Sequence, residues 1–330
     1  MRQYRDLRVQ TSFHSSHNVR FLSLLGPPMQ DFLGKTGARA LKATVLTIGY
    51  AFVAVFAWIV YVLSIRFVRT SLPYYGEPFS FGWAAHLLAG VWLLTNVCGY
   101  YILCVFTGPG LAPKGDPASR AAAHDQYLKD SHQFKRTPYC RQCGIIPPPR
   151  ASHCYFCDGC VLEMDHHCPW VLGCVGYNNH HYFIVYLVYC VIGTAYVAAV
   201  STPMMADMAY LESVRPFHQD DVRASLVIST VTGSLLLLFG GFHVYLAMTN
   251  QTSLDSFEAK LCSSTSAAQA KLRSYNKGVN ENLRNLFGTS WGSGCWRLLI
   301  PCRIVRPPHP ICSPCDPEGE PGVNSHLLAI

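Results

Sequence analysis

The sequence predicts an all-α polytopic membrane fold, four transmembrane helices with a small cytosolic cysteine-rich module between the second and third. Three observations predict it. Residues 43–65, 81–106, 182–206 and 224–248 contain no Asp, Glu, Lys or Arg, and each run exceeds the roughly 20 apolar residues that cross a bilayer. Lys and Arg concentrate in alternate connections: seven before residue 43, seven in 107–181, eight after 248, and two in each remaining loop. Seven of the 15 cysteines lie between Cys140 and Cys174. With half of the chain hydrophobic and only 14% charged, an ordinary soluble domain is excluded.

Taken in order, residues 1–42 read as a basic cytosolic arm, without a short apolar run near Met1 or a small-residue cleavage site. The span 43–65 is therefore expected to act as the insertion signal. Residues 66–80 form a short lumenal loop, and 81–106 cross back. Basic residues stay on the cytosolic side, which places both tails and the loop 107–181 in the cytosol. In that loop "TGPGLAPKGDP" ends the second span, 118–133 reads as a short polar helix, and the module occupies 138–183. After the span 182–206, an acidic lumenal loop leads to the span 224–248. The tail 249–330 holds a polar helical stretch, then "WGSGCWRLLIPCRIV" (291–305), whose Trp, aliphatic and Arg mixture reads as interfacial. The net charge of +7 is a cytosolic face drawn to anionic lipid, not a nucleic-acid footprint. No Lys/Arg-rich reading helix accompanies the cysteines.

The module sits in a reducing compartment, where clustered cysteines with interspersed histidines are metal ligands or catalytic groups rather than disulfides. Its candidate ligands are Cys140, Cys143, His153, Cys154, Cys157, Cys160, His166, His167, Cys168 and Cys174. Two Cys-x2-Cys pairs give the short chelating spacing of structural zinc, which takes four ligands. Few apolar residues and many prolines leave metal as the source of folding energy, a zinc-stabilised module. Two four-ligand sites use eight of the ten donors. Adjacent residues do not readily chelate one ion in tetrahedral geometry, so His166, His167 and Cys168 are not all ligands of a single zinc. A spare cysteine beside a spare histidine, with Asp165 ahead of them, supplies a thiolate, a base and an orienting acid.

These residues resemble the DHHC family of protein S-acyltransferases (palmitoyltransferases). The pattern runs C-x2-C from Cys140, then Pro148-x-Arg150-x2-His153-Cys154, Cys157, Cys160 and Asp165-His166-His167-Cys168. It continues through Cys174-Val175-Gly176, Asn179 and Phe183, with the tail element "YNKGVNENLRNLFG" at 275–288. The resemblance covers roughly residues 44–288. It departs in three places: Pro147 stands where the family often has a basic residue, Gly108-Pro109-Gly110 where it has Asp-Pro-Gly, and Thr252-Ser253-Leu254-Asp255 where it has Thr-Thr-x-Glu. The last two are expected to be packing elements beneath the module, and Asn282, Phe287 and Gly288 to pack the tail onto it.

The resemblance implies two structural zincs, one on Cys140, Cys143, His153 and Cys160, the other on Cys154, Cys157, His167 and Cys174. Both are closed, unlike the three-ligand sites of zinc hydrolases and deaminases. It leaves Cys168 as nucleophile, His166 as its base and Asp165 to orient that base. A long-chain acyl-CoA, palmitoyl-CoA above all, would load Cys168, and a cysteine of a membrane or membrane-associated protein would take the acyl group. Arg150 is the best remaining contact for the coenzyme A phosphates. The expected setting is an endomembrane, Golgi or endoplasmic reticulum, with the plasma membrane as the alternative. Cys98, Cys104 and Cys190 are expected to pack within spans. Cys295, Cys302, Cys312 and Cys315 are tail thiols open to acylation or, with His309, to metal.

Overall fold

A computed structural model describes residues 27–132, 139–213, 216–261, 270, 273–288, 298–304, 306 and 309. The expected arm up to residue 26, and Cys295, Cys312 and Cys315, lie outside the described residues. Among the described residues four helices are long and apolar enough to cross a membrane, with spans at Thr36–Tyr74, Phe81–Phe106, His180–Ala206 and Gln219–Met248. They belong to α1 (Pro27–Arg66), α2 (Phe81–Phe106), α4 (His180–Ala206) and α6 (Pro216–Met248). Between α2 and the module runs α3 (Pro117–His132), the short polar helix, and α5 (Met208–Ser213) links α4 to α6.

Each helix has a sequence reason for its ends. Gly34 interrupts α1 with φ 66° and ψ 174°, so a short leading piece meets the long span at a kink. The span of α1 carries on through one wide turn, Phe67–Ser71, before Leu72–Tyr74. Ser80 caps α2 by accepting from the Trp83 N–H at 3.3 Å, which satisfies one of the donors a helix start leaves free. Outward-facing Trp58, Tyr61, Leu235 and Leu238 stay exposed, as lipid-facing side chains of a bundle do.

α4 is the central helix, packed against both α2 and α6. Its first two turns are buried almost all round, with His180, His181, Tyr182, Phe183, Ile184 and Val185 inside, because the module sits on that end. Asn179 ties the two together: it accepts from the Gly176 N–H at 2.9 Å and donates to the carbonyls of Cys104 and Cys174 at 3.3 and 3.0 Å. α1 reaches the module at Gly49, where a Cβ would stand 2.7 Å from the Pro169 carbonyl oxygen. Only a glycine lets the helix approach so closely.

The module has two two-stranded antiparallel hairpins, β1 (Ser152–Cys154) with β2 (Gly159–Val161) and β3 (His166–Cys168) with β4 (Gly173–Val175). Their registers match. His153 faces Cys160 across the first hairpin, and His167 faces Cys174 across the second.

The tail differs from the expected interfacial segment. After α7 (Ser253–Leu261) and α8 (Val279–Phe287), residues 298–304 run alongside α2 and α4. Trp92 Nε1 donates to the Leu299 carbonyl at 2.8 Å, Tyr189 to the Leu298 carbonyl at 2.8 Å, and the Ile304 N–H to the Tyr182 hydroxyl at 2.9 Å. Backbone outside regular α-helix or strand can sit at membrane depth only where protein groups satisfy it, and the two donors, Trp92 and Tyr189, and the acceptor hydroxyl of Tyr182 do so. Asn282 holds the start of the tail, donating to the Met248 carbonyl at 2.7 Å.

Candidate active site

The hairpins decide which donors share a site, because successive side chains on a strand point to opposite faces. On β1, His153 joins Cys140, Cys143 and Cys160, whereas its neighbour Cys154 joins Cys157, His167 and Cys174. Within each set every donor atom lies within 4.8 Å of the others. His153 Nδ1 is 3.5 Å from the Cys140 sulfur and 3.3 Å from that of Cys143. His167 Nδ1 stands 3.5 to 3.6 Å from the sulfurs of Cys154, Cys157 and Cys174. Zinc bonds of roughly 2.0–2.3 Å give tetrahedral edges of about 3.5 Å, so both Cys3His sets fit the ion in spacing and chemistry. The described cysteines form no disulfide.

The same alternation separates the adjacent histidines on β3. His167 turns toward the second donor set, and His166 and Cys168 share the other face. Neither His166 nor Cys168 belongs to either Cys3His set. Cys168 is 3% exposed, in an apolar cluster that includes Tyr182, Phe183 and Val171. Its thiol lies close enough to His166 to act on the charge of that ring. On its other side His166 Nδ1 donates to Asp165 Oδ2 at 2.6 Å, which leaves Nε2 as the free ring nitrogen.

Asp165 is almost completely buried. The Ser253 backbone N–H donates to Oδ1 at 2.7 Å and the Ser253 hydroxyl to Oδ2 at 2.8 Å. Burial alone would raise this carboxyl, but the His166 hydrogen bond and the surrounding His180, His166 and His243 hold it well below the usual carboxylate range. Burial likewise opposes charge on His166, yet the Asp165 hydrogen bond and the nearby Cys168 bring it up to about 9.

Arg150 is engaged elsewhere than the expected phosphate contact. Held at φ 64°, it pairs with Asp255 at 2.9 Å and Glu163 at 3.4 Å, and donates to the Asn250 carbonyl at 3.1 Å. Its guanidinium also lies over the Tyr275 ring. These partners bind the module to the start of the tail and fill most of the guanidinium fork. Arg306 approaches the same Glu163 at 3.8 Å while stacking on Tyr177.

Sequence reasoning missed three residues that meet Asp165: Ser253, His180 and His243. Ser253 was assigned only to packing. His243 had a usable signal, a histidine inside an otherwise apolar span, which is a functional position by default. His180 had none beyond its closeness to the module.

A buried thiol beside a carboxylate-held imidazole, on a cysteine-rich platform packed against four apolar helices, has the make-up of a group-transfer site in a multi-pass membrane protein. Residues 133–260 match the family model described as DHHC palmitoyltransferase. The chain is 27% identical over 320 residues to human palmitoyltransferase ZDHHC2, covering 85% of this chain and 82% of that one. It is 34% identical over 155 residues to rat palmitoyltransferase ZDHHC15 (46% and 43% of the two chains). Against Aspergillus fumigatus palmitoyltransferase pfa3 it is 32% identical over 219 residues (61% and 37%). Residues 133–260 thus form a DHHC palmitoyltransferase domain, which together with these relatives indicates a protein S-acyltransferase.

Proposed function

We propose that the acyl donor is a long-chain acyl-CoA, chiefly palmitoyl-CoA, and that the acyl group passes through a thioester on Cys168. The observation that carries this reading is the Asp165–His166 hydrogen bond of 2.6 Å beside a thiol on the same strand face. His166 takes the thiol proton, and the sulfur attacks the acyl carbonyl. The carbon–sulfur bond to coenzyme A breaks, and the departing thiolate takes the proton back from His166. In the second half the thiol of a protein substrate gives its proton to His166 and attacks the acyl-Cys168 carbonyl; the carbon–sulfur bond to Cys168 breaks, and the freed Cys168 thiolate takes the proton back from His166. One thioester replaces another in each half, so the scheme is ping-pong. Asp165 fixes the tautomer and orientation of His166.

The two Cys3His sets would hold structural zinc, whose role is to cross-link a module with little core of its own. The basic alternation of the sequence supports placing the module and both tails on the cytosolic side; the proposed setting is an endomembrane, Golgi or endoplasmic reticulum, with the plasma membrane as the alternative. Substrates are then membrane proteins, or proteins already held at the membrane, that present a cysteine there.

Purified protein incubated with labelled palmitoyl-CoA should acquire label in a hydroxylamine-sensitive bond. Labelling of Cys168→Ser to the level of the parent would remove Cys168 from the scheme. A zinc content near one per chain, instead of two, would break the ligand assignment independently.

A further inference from the structure

Asp165, His180 and His243 form a second constellation around the same carboxylate. They come from three elements, the strand entry at β3, the start of α4 and the last turns of α6, and all three are buried. Their donor atoms lie within 4.8 Å of one another. His180 Nε2 is 3.8 Å from Asp165 Oδ1, and His243 Nδ1 is 3.7 Å from Asp165 Oδ2. Those separations are too long for hydrogen bonds, and neither nitrogen has a hydrogen-bond partner among the described residues. Leaving a buried polar atom unpaired costs roughly 1–3 kcal/mol, so two of them aimed at one point call for an occupant.

The donors specify what that occupant is. A carboxylate offers about four lone-pair positions. At Asp165 three are taken by His166 and by the two donors of Ser253, which leaves one, on Oδ1. Two imidazoles and one carboxylate oxygen suit borderline-soft dications and not Mg2+ or Ca2+. The 3.8 Å from His180 Nε2 to Oδ1 exceeds a zinc-type tetrahedral edge of about 3.4 Å by only a few tenths of an ångström, and His243 Nδ1 stands 3.7 Å from the same carboxylate's other oxygen. The His243 ring is held edge-on by Phe239 and Phe183, with centroids 4.6 and 5.2 Å away. Its nitrogen is therefore fixed in direction, in apolar surroundings where a charge is felt strongly.

We propose that Asp165, His180 and His243 make a third cation site for one transition-metal dication of the zinc class, and that filling it through Oδ1 withdraws negative charge from the carboxylate, weakens its hold on His166 through Oδ2 and slows acyl transfer. The site has three protein ligands and one open position, unlike the two closed Cys3His sets. The binding stands on the geometry alone; the inhibition rests on the roles given above to Asp165, His166 and Cys168.

Cobalt is the probe. Full-length protein carrying two zincs per chain is titrated with Co2+ and read by metal content and visible absorption. The expected result is one further equivalent whose spectrum lacks sulfur-to-cobalt charge transfer. His180→Gln and His243→Gln should each weaken it at least tenfold while retaining two zincs. Should either variant lose zinc, Cu2+ bound to the parent protein and read by pulsed electron paramagnetic resonance should show two imidazoles on the ion. Metal uptake that stops at two, an extra ion with thiolate bands, or extra uptake unchanged in both folded variants overturns the site and leaves a water as its occupant. Labelling of Cys168 should fall in step with filling of the site, and filling without loss of rate overturns the inhibition. Absence of labelling before any cobalt is added would instead count against the acyl-Cys168 reading.

Discussion

Ser253 gives both of its donors to Asp165, the backbone N–H at 2.7 Å and the hydroxyl at 2.8 Å. The chain leaving the last membrane helix thus reaches back 88 residues to the carboxylate that orients His166. A segment assigned only to packing in the sequence is in direct contact with the proposed catalytic group.

Ser253→Ala removes one of these two donors and leaves the backbone bond. A hydrogen bond to a charged group contributes roughly 1.5–3 kcal/mol, so the rate of Cys168 acylation should fall by about 10- to 150-fold. Ser253→Thr keeps the hydroxyl and should stay within about threefold of the parent. Single-turnover labelling with palmitoyl-CoA measures both, and equal rates for Ser253→Ala and the parent would remove Ser253 from the positioning of Asp165.

Asp165→Asn preserves shape but not charge. An amide presents a donor as well as an acceptor, so it no longer selects the tautomer with the proton on His166 Nδ1. Loss of this kind in an acid–imidazole–nucleophile unit costs on the order of 10^4 in rate. Acylation should become nearly undetectable while zinc content stays at two per chain. A drop of less than tenfold would show that His166 is oriented by other contacts.

Cys160 and Cys168 are both buried in the module, yet their substitutions should behave oppositely. Cys160→Ser removes one of four donors and should lower zinc to about one per chain, with a marked loss of thermal stability. Cys168→Ser should keep two zincs and the parent melting temperature, and lose only labelling. A strong chelator should reproduce the Cys160→Ser behaviour in the parent. A shared phenotype for the two cysteines would contradict their separation by strand face.

The Arg150–Asp255 pair, nearly buried on both sides, tests whether Arg150 braces the module or meets coenzyme A. Breaking a buried pair from one side costs about 3–5 kcal/mol. Arg150→Ala and Asp255→Ala should therefore each lower thermal stability substantially, and the double variant by less than the sum. The apparent affinity of the folded fraction for palmitoyl-CoA should stay within about twofold. A stable Arg150→Ala protein with a large loss of palmitoyl-CoA affinity would return Arg150 to the phosphates.

The membrane helices were legible because transfer of uncharged apolar runs is a local, additive property of the chain. Residues 81–106 coincide with α2, whereas α4 and α6 start earlier than their apolar runs, at His180 and Pro216. There the helix continues past the apolar segment under contacts with the module and with the α4–α6 connection, which hydropathy does not register. The ten candidate donors were also legible, since chelation is short-range in sequence. The course of residues 298–304 beside Trp92 and Tyr189 was not, because it depends on aromatic donors 207 and 109 residues away.

Sequence alone determined a four-span chain with a cysteine-rich module, and a motif in which one cysteine is left over from two metal sites. Which histidine is proposed to serve Cys168 followed from family likeness, since adjacency in "DHHC" does not distinguish His166 from His167. The folded hairpin supplies the physical reason: alternation along β3 sends His167 to one face and His166 with Cys168 to the other. Only the tertiary structure brought Ser253, His180 and His243 to Asp165. Those contacts join four separate elements, and no local pattern in the chain encodes which buried polar groups will have to share one carboxylate.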